Sequence, residues 1–254
     1  MGAMTSRRTR ATGQHMLIDA RVAERAARYA SLGRSDTVLE IGPGKGVLTR
    51  ILARRAGRVV AMEKDRRFSP FLEDLPPNVE LVFADALRCE WPPFTKVVSN
   101  LPYSISSPLT FRLLEHDFRL GVLMYQKEFA ERMAAAVGSP DYSRLGVEVF
   151  RRARCRILEE VPPSAFAPPP RVMSAVVELR PRPCPFEVRD GAAFSAVARA
   201  LFSHRRKSVR NALRSEERAL GDLLSRLDPA GPALERRAES LSPEEIAGLA
   251  NAMT

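Results

Sequence analysis

The sequence predicts an α/β fold, a mostly parallel β-sheet of Rossmann-like type followed by a small all-helical domain. Three observations carry that expectation. Strand-like and helix-like segments alternate from about residue 37 to residue 137, the pattern of βα units whose parallel sheet is covered on both faces. A glycine-rich turn joins the first strong strand to its helix, where open α/β sheets bind nucleotides. Beyond Pro181-Arg-Pro-Cys-Pro185 only helical patterns remain.

Apolar and small residues recur at helical spacing over 22–32 and are stopped by Gly33 and Asp36, so this stretch reads as a helix. The run 37–41 (Thr-Val-Leu-Glu-Ile) reads as a buried strand, and a helix follows over 47–55. The alternation continues with a strand over 58–62, a helix over 65–74, and strands over 79–83 and 96–99. Then come a helix over 108–116, a strand over 120–125 and a helix over 127–137. The proline-rich run 162–170 cannot be helical and leads into an alternating stretch, 173–179, expected to be a late and antiparallel strand. These boundaries predict a domain over 1–182 and a helical, RNA-contacting domain over 183–254. Residues 1–12 form a basic tail. Met1-Gly-Ala ahead of Met4 reads as a cloning remnant, with Met4 the expected native start.

The 254 residues include 40 Lys or Arg and 30 Asp or Glu, a net charge of +10. That excess points to a polyanionic partner. At 45% hydrophobic and 28% charged the composition excludes a disordered or membrane-embedded chain. Cys89, Cys155 and Cys184 are too few and too widely spaced for a disulfide framework or a zinc site. With no apolar run for a membrane span and no signal-peptide core, the expected location is cytoplasmic.

Glu40-Ile-Gly-Pro-Gly-Lys-Gly-Val-Leu-Thr49 is the first motif with chemistry. Gly42, Gly44 and Gly46 do not fit GxGxxG, and no GK[ST] follows, so dinucleotide and triphosphate readings lose weight. Glu63 ends the second strand and Asp85, followed by Ala86, ends the third. One carboxylate can take both ribose hydroxyls as donors and the other an adenine amino group. Two acids beside the ligand suit a cofactor that lacks phosphates and carries positive charge. S-adenosylmethionine (SAM) meets both conditions.

Asn100-Leu101-Pro102-Tyr103 follows the fourth strand, on the cofactor side of the sheet. An aromatic amine such as adenine N6 is a weak nucleophile because its lone pair is delocalised into the ring. The Asn100 side-chain oxygen and the Leu101 carbonyl could hold its two hydrogens, and Tyr103 could stack on the base.

With Gly13-Gln-His-Met-Leu17, Phe166-x-Pro-x-Pro-x-Val-x-Ser174, Arg205-Arg-Lys207 and Asn211-Ala-Leu213 added, the chain resembles the KsgA-type ribosomal RNA adenine N6,N6-dimethyltransferases. The wording around Leu123-Met-Tyr-Gln-Lys-Glu-Phe-Ala-Glu-Arg132 is most similar to archaeal members. The resemblance implies a seven-stranded methyltransferase sheet, SAM as donor with S-adenosylhomocysteine as product, and no metal. It implies dimethylation of two adjacent adenosines in a hairpin loop near the 3′ end of small-subunit (16S) ribosomal RNA during ribosome biogenesis. Carried over residue by residue, it implies cofactor contacts from Gln14, His15, Leu17, Gly42, Glu63, Asp85 and Asn100. Asn100 and Tyr103 would line the target adenine and Phe166 would close its other face. Met16 and Ala167 depart from the aromatics common at those positions, which touches shape rather than polar chemistry.

Arg7, Arg8 and Arg10 in the tail, and Arg205, Arg206, Lys207 and Arg210, are the expected RNA contacts, with 206 and 210 on one helix face. A further basic run spans Arg151 to Arg156. The expected partner is the small ribosomal subunit, and the expected state a monomer. Three other readings remain: an Erm-type enzyme acting on large-subunit RNA, a non-catalytic RNA-binding assembly or transcription factor on the same scaffold, and a small-molecule methyltransferase. Leu101 and the 166–174 motif weigh against the first, retention of Glu40, Glu63, Asp85, Asn100 and Tyr103 against the second, and the net charge against the third.

Overall fold

The computed structural model describes residues 15–221, 223–228 and 231–253. The chain forms two compact units, Met1–Ala130 with Arg154–Pro181, and Glu131–Ala153 with Arg182–Thr254. A single cut after residue 182 was the expectation; the helical unit also takes in 131–153. The reason is apolar: Tyr142 and Val147 belong to the same buried cluster as Phe194, Val197, Leu201 and Leu249.

The first unit holds a seven-stranded sheet in the order β4-β3-β2-β5-β6-β9-β7. Its strands are β2 (Thr37–Ile41), β3 (Arg58–Glu63), β4 (Val79–Phe83), β5 (Lys96–Asn100), β6 (Leu120–Gln126), β7 (Ala153–Val161) and β9 (Ser174–Pro181). Adjacent pairs from β4 through β6 are parallel, and β9 runs antiparallel to β6. Two short strands, β1 (Met16–Leu17) and β8 (Phe166–Ala167), pair antiparallel apart from this sheet. Since β2 lies between β3 and β5, the chain reverses its direction of progress across the sheet there. The crevice at the strand ends beside that reversal is the binding position of such folds.

Helix α1 (Ala20–Tyr29) is started by Asp19, whose carboxylate accepts from the Arg21 amide, and buries Val22, Ala23, Ala26 and Ala27. Helix α2 (Val47–Arg55) follows the glycine turn and buries Leu48, Ile51 and Leu52. These faces join Val38, Val98, Val122 and Val176 of the strands in one core. Helices α3 (Ser106–Leu113) and α4 (Lys127–Ala134) flank β6 in sequence.

Several boundaries differ from the sequence reading. The helix expected over 65–74 is a single 3-10 stretch, Arg66–Phe71, with Pro70 inside it. Proline there removes an amide donor and crowds the preceding turn, so an α-helix cannot propagate. Helix α1 ends at Tyr29, ahead of Ser31 at φ 47°. Helix α5 (Arg144–Arg152) and the edge strand β7 went unread, because four of the nine residues in each are charged and interrupt the apolar pattern.

The helical unit also contains α6 (Gly191–Ser203), α7 (Val209–Ser215), α8 (Glu217–Leu220), α9 (Leu223–Arg226) and α10 (Pro243–Asn251). Asp190 caps α6, and Ser242 with Glu245 forms a reciprocal capping box on α10. Residues 205–207 lie before α7, whose N-cap is Ser208. Arg206 and Arg210 therefore do not share a helix face as expected. Among the described residues, no helix is long and apolar enough to cross a membrane.

Candidate active site

A cavity of about 560 Å³ opens at the C-terminal ends of β2, β3 and β5. His15, Leu17, Glu40, Gly42, Gly44, Glu63, Asp85, Ala86, Asn100, Leu101, Pro102 and Tyr103 all line it. Twelve residues read from five separate stretches of sequence thus meet around one cavity.

The floor is the glycine turn. Gly42, Gly44 and Gly46 have φ of 74°, 56° and 76°, a left-handed backbone that side chains disfavour. This lets the chain turn tightly from β2 into α2, with Gly46 as the helix N-cap. Gly46 itself stands behind the wall rather than on it.

Three carboxylates surround the turn in different electrostatic states. Glu63, at the end of β3, accepts from the Asp65 amide at 2.8 Å and the Gly44 amide at 3.1 Å. Burial holds its pKa above the ordinary carboxylate range, against the pull of those amides. Glu40 is buried, and its Oε2 has no hydrogen-bond partner. Burial, with the negative charge of Glu63 adding to it, pushes its pKa up to about 8. Asp85 is different. The Lys64 ammonium 2.9 Å away and the Leu87 amide hold its carboxyl below the ordinary value. The arrangement puts two buried carboxyls of raised pKa behind the turn and an ion-paired carboxylate of lowered pKa at the rim.

At the other end stands Asn100, the last residue of β5. Its Nδ2 donates to the His15 carbonyl at 3.0 Å, while Oδ1 is buried with no partner. Tyr103 lies three residues on, in a 3-10 turn. Its ring is 5.4 Å from that of His15, tilted by 35°, and its hydroxyl is 2.5 Å from the Ser174 hydroxyl. His15 Nδ1 is in turn 2.8 Å from the Pro168 carbonyl. An aromatic face beside an unused acceptor suits a flat amine-bearing base.

Phe166 is not on this wall. It is 2% exposed and packs in the core with Leu17, Val161 and Ala165, because β8 pairs with β1 and sets Phe166 opposite Leu17. A fully apolar ring gains most from that burial. The 166–174 stretch reaches the pocket residues instead through the Pro168 carbonyl and the Ser174 hydroxyl. Gln14, Arg7, Arg8 and Arg10 lie outside the described residues.

The cavity is also lined by Met16, Lys64, Asp65, Arg66 and Phe68, which sequence reasoning missed. Their signal was position alone: 64–68 directly follow Glu63, the end of a strand already assigned to the site.

The expected RNA patch of the helical unit separates into unlike residues. Arg205 is an internal clamp, bonding Glu239 at 2.9 Å and the carbonyls of Pro140 and Ser139 at 2.6 and 3.0 Å. Arg210 pairs with Glu235 and Lys207 donates to Ser215. Arg206 is exposed. In the other basic run Arg151 is buried against Glu148, and Arg156 pairs with Glu178. Among the described residues, no group of three or more His, Cys, Asp or Glu could hold a metal ion.

Comparison with known proteins agrees with the geometry. The family described as "Ribosomal RNA adenine dimethylase" matches residues 5–246. A probable ribosomal RNA small subunit methyltransferase A from Methanosarcina mazei is 48% identical over 246 residues, covering 94% of this chain and 90% of the relative. Its namesake from Thermococcus gammatolerans is 47% identical over 249 residues, covering 94% and 87%. Among solved structures, a dimethyladenosine transferase from Plasmodium falciparum is similar with a TM-score of 0.74 at 30% identity, over 92% of this chain and 96% of that one. The 23S rRNA methyltransferase ErmE is similar with a TM-score of 0.69 at 31% identity, over 94% and 99%.

Proposed function

The chain belongs to the ribosomal RNA adenine dimethylase family, and from that premise we propose how its pocket dimethylates adenine N6 of two adjacent adenosines in a hairpin loop near the 3′ end of small-subunit ribosomal RNA. It is a SAM-dependent ribosomal RNA adenine dimethyltransferase. The observation that carries the site assignment is Asn100, whose amide is spent on the His15 carbonyl while its buried Oδ1 stays unused beside Tyr103.

The residues present fit SAM. The partnerless Glu40 oxygen and the raised Glu63 lie behind the left-handed glycine turn, and suit a ligand that brings positive charge. Bound there, SAM supplies an activated methyl group on a sulfonium. Glu63 takes the ribose hydroxyls, Asp85 the adenine amino group of the cofactor, and His15, Leu17 and Gly42 the remaining contacts. The protein's task at the reacting centre is alignment. Asn100 Oδ1 and the Leu101 carbonyl hold the two N6 hydrogens of the target, and Tyr103 stacks on its ring. The target base has to leave its stack to enter, a cost of a few kcal/mol that is lowest in a loop. No general base is needed, since N6 becomes acidic only as it is methylated and its proton can pass to water. We place the reaction in the cytoplasm, on small-subunit assembly intermediates, with the protein as a monomer and without a metal.

The test is to incubate the protein with labelled SAM and undermethylated small subunits, then map the label. Label confined to two neighbouring adenines of small-subunit RNA is the expected result. Label in large-subunit RNA would overturn the substrate assignment, and absence of transfer would overturn the activity.

A further inference from the structure

We infer that Ser174 is a positioning residue for the target base, and that by holding the Tyr103 hydroxyl it governs the second methyl transfer more than the first. The inference rests on the reading that Asn100 and Tyr103 receive the target adenine.

Ser174 is fully buried at the start of β9, in register with Gln126 of β6. Asn100, at the end of β5, is in register with Met124 of the same β6. Ser174 and Asn100 are therefore tied to one rigid strand, two residues apart along it. The Tyr103 hydroxyl, 2.5 Å from Ser174 Oγ, anchors the far end of the ring to this frame. Its flank meets the His15 ring at 5.4 Å, and His15 is held by the Pro168 carbonyl. The 166–174 stretch thus fixes both neighbouring rings, although Phe166 itself turns into the core.

The two transfers depend on that frame unequally. Unmodified N6 has two hydrogens, and two acceptors are available, Asn100 Oδ1 and the Leu101 carbonyl. After one transfer N6 keeps a single hydrogen and carries a methyl group. One hydrogen-bond restraint on the base is gone, and the bulkier amine has to be presented in line with a fresh methyl donor. Stacking on Tyr103 then carries more of the alignment. A ring no longer anchored at its hydroxyl lets the base shift, and shifts of the order of 1 Å cost about 100-fold in rate.

The test compares the protein with Ser174→Ala, Tyr103→Phe and the double variant, in single-turnover methylation of undermethylated small subunits. Nucleoside mass spectrometry reads the ratio of monomethyl to dimethyl adenosine, and calorimetry reads SAM affinity. Each single variant should slow the second transfer about tenfold or more, so that monomethyladenosine accumulates, and should leave SAM affinity within about twofold. The double variant should be no slower than the worse single one, since both remove one bond. A product ratio unchanged in Tyr103→Phe overturns the inference, as do multiplying effects in the double variant. Tyr103 lines the open cavity, so its hydroxyl can be removed without unpacking the sheet if Ser174→Ala fails to fold. Absence of methylation by the unaltered protein would instead overturn the proposed function.

Discussion

The side-chain amide of Asn100 donates to the backbone carbonyl of His15 at 3.0 Å, and this contact fixes which way the Asn100 carbonyl oxygen points. A buried acceptor without a partner costs about 1–3 kcal/mol, a cost recovered when a ligand amine fills it. Asn100→Ala should therefore leave SAM binding modestly weakened, and slow methylation of small subunits by at least about 100-fold. Asn100→Asp keeps an acceptor but sets a second oxygen against the His15 carbonyl, and should not restore the rate. Calorimetry and single-turnover assays on both variants check this, and near-normal turnover of Asn100→Ala would remove Asn100 from the reaction.

Glu40 makes the stability of the ligand-free protein depend on pH. Its carboxyl is raised from 4.5 to about 8 by burial, with Glu63 adding to the shift. Between those values the folded protein binds more protons than the unfolded chain, so this contribution to stability is fully present below about 4.5 and is lost as pH rises toward 8. Glu40→Gln removes the titration, so its melting temperature should gain on that of the unaltered protein from pH 5 to pH 8. Glu63 shifts in the same direction, and its own fall should remain in the variant. Melting curves across that range decide it: parallel pH dependences would show that Glu40 is not buried as a proton-bearing acid.

In the helical unit Arg205 and Arg206 should behave oppositely, although they are neighbours in a basic motif. Arg205 makes three internal hydrogen bonds, so Arg205→Ala should destabilise the protein by about 1–3 kcal/mol with RNA affinity intact below the melting range. Arg206→Ala should leave stability alone and lower RNA affinity, with a salt dependence shallower by about one unit. Equilibrium denaturation and a salt titration of RNA binding separate the two. A stable Arg205→Ala with weakened RNA binding would return Arg205 to the RNA surface.

What the sequence made legible was whatever a local pattern determines. The strand β2 and helix α2 flanking the glycine turn were read to the residue, because an apolar run, three glycines and a helical repeat follow one another without interruption. The acids Glu40, Glu63 and Asp85 were legible because strand ends in a parallel sheet converge. Strand β7 was not, since its alternation of Ala153, Cys155 and Ile157 with Arg154 and Arg156 is short and breaks at Leu158, ahead of the charged pair Glu159 and Glu160. Phe166 and Arg205 have partners that the sequence does not announce, for a shared reason: a motif gives a residue type and an order, whereas burial and pairing depend on residues distant in sequence, Leu17 in one case and Glu239 in the other. The role of Ser174 is invisible within the 166–174 motif, because its partner Tyr103 is 71 positions away.

The glycine turn yields a graded prediction. At Gly44 a Cβ would meet only Met16, at 3.7 Å or more, so Gly44→Ala pays for its left-handed φ of 56° and little else, about 1–2 kcal/mol. At Gly46 the Cβ would press on the Arg50 guanidinium and come within 3.2 Å of Leu72. The guanidinium cannot simply swing away, because it is held by the carbonyls of Lys45, Gly46 and Phe71. Gly46→Ala should thus lower the melting temperature more than Gly44→Ala. Gly44→Ala should weaken SAM binding more, since the Gly44 amide orients Glu63 and Gly44 lines the cavity while Gly46 does not. Thermal melting and calorimetry on the pair read the two orders independently, and the same order in both measurements would mean that the turn acts on the ligand only through stability.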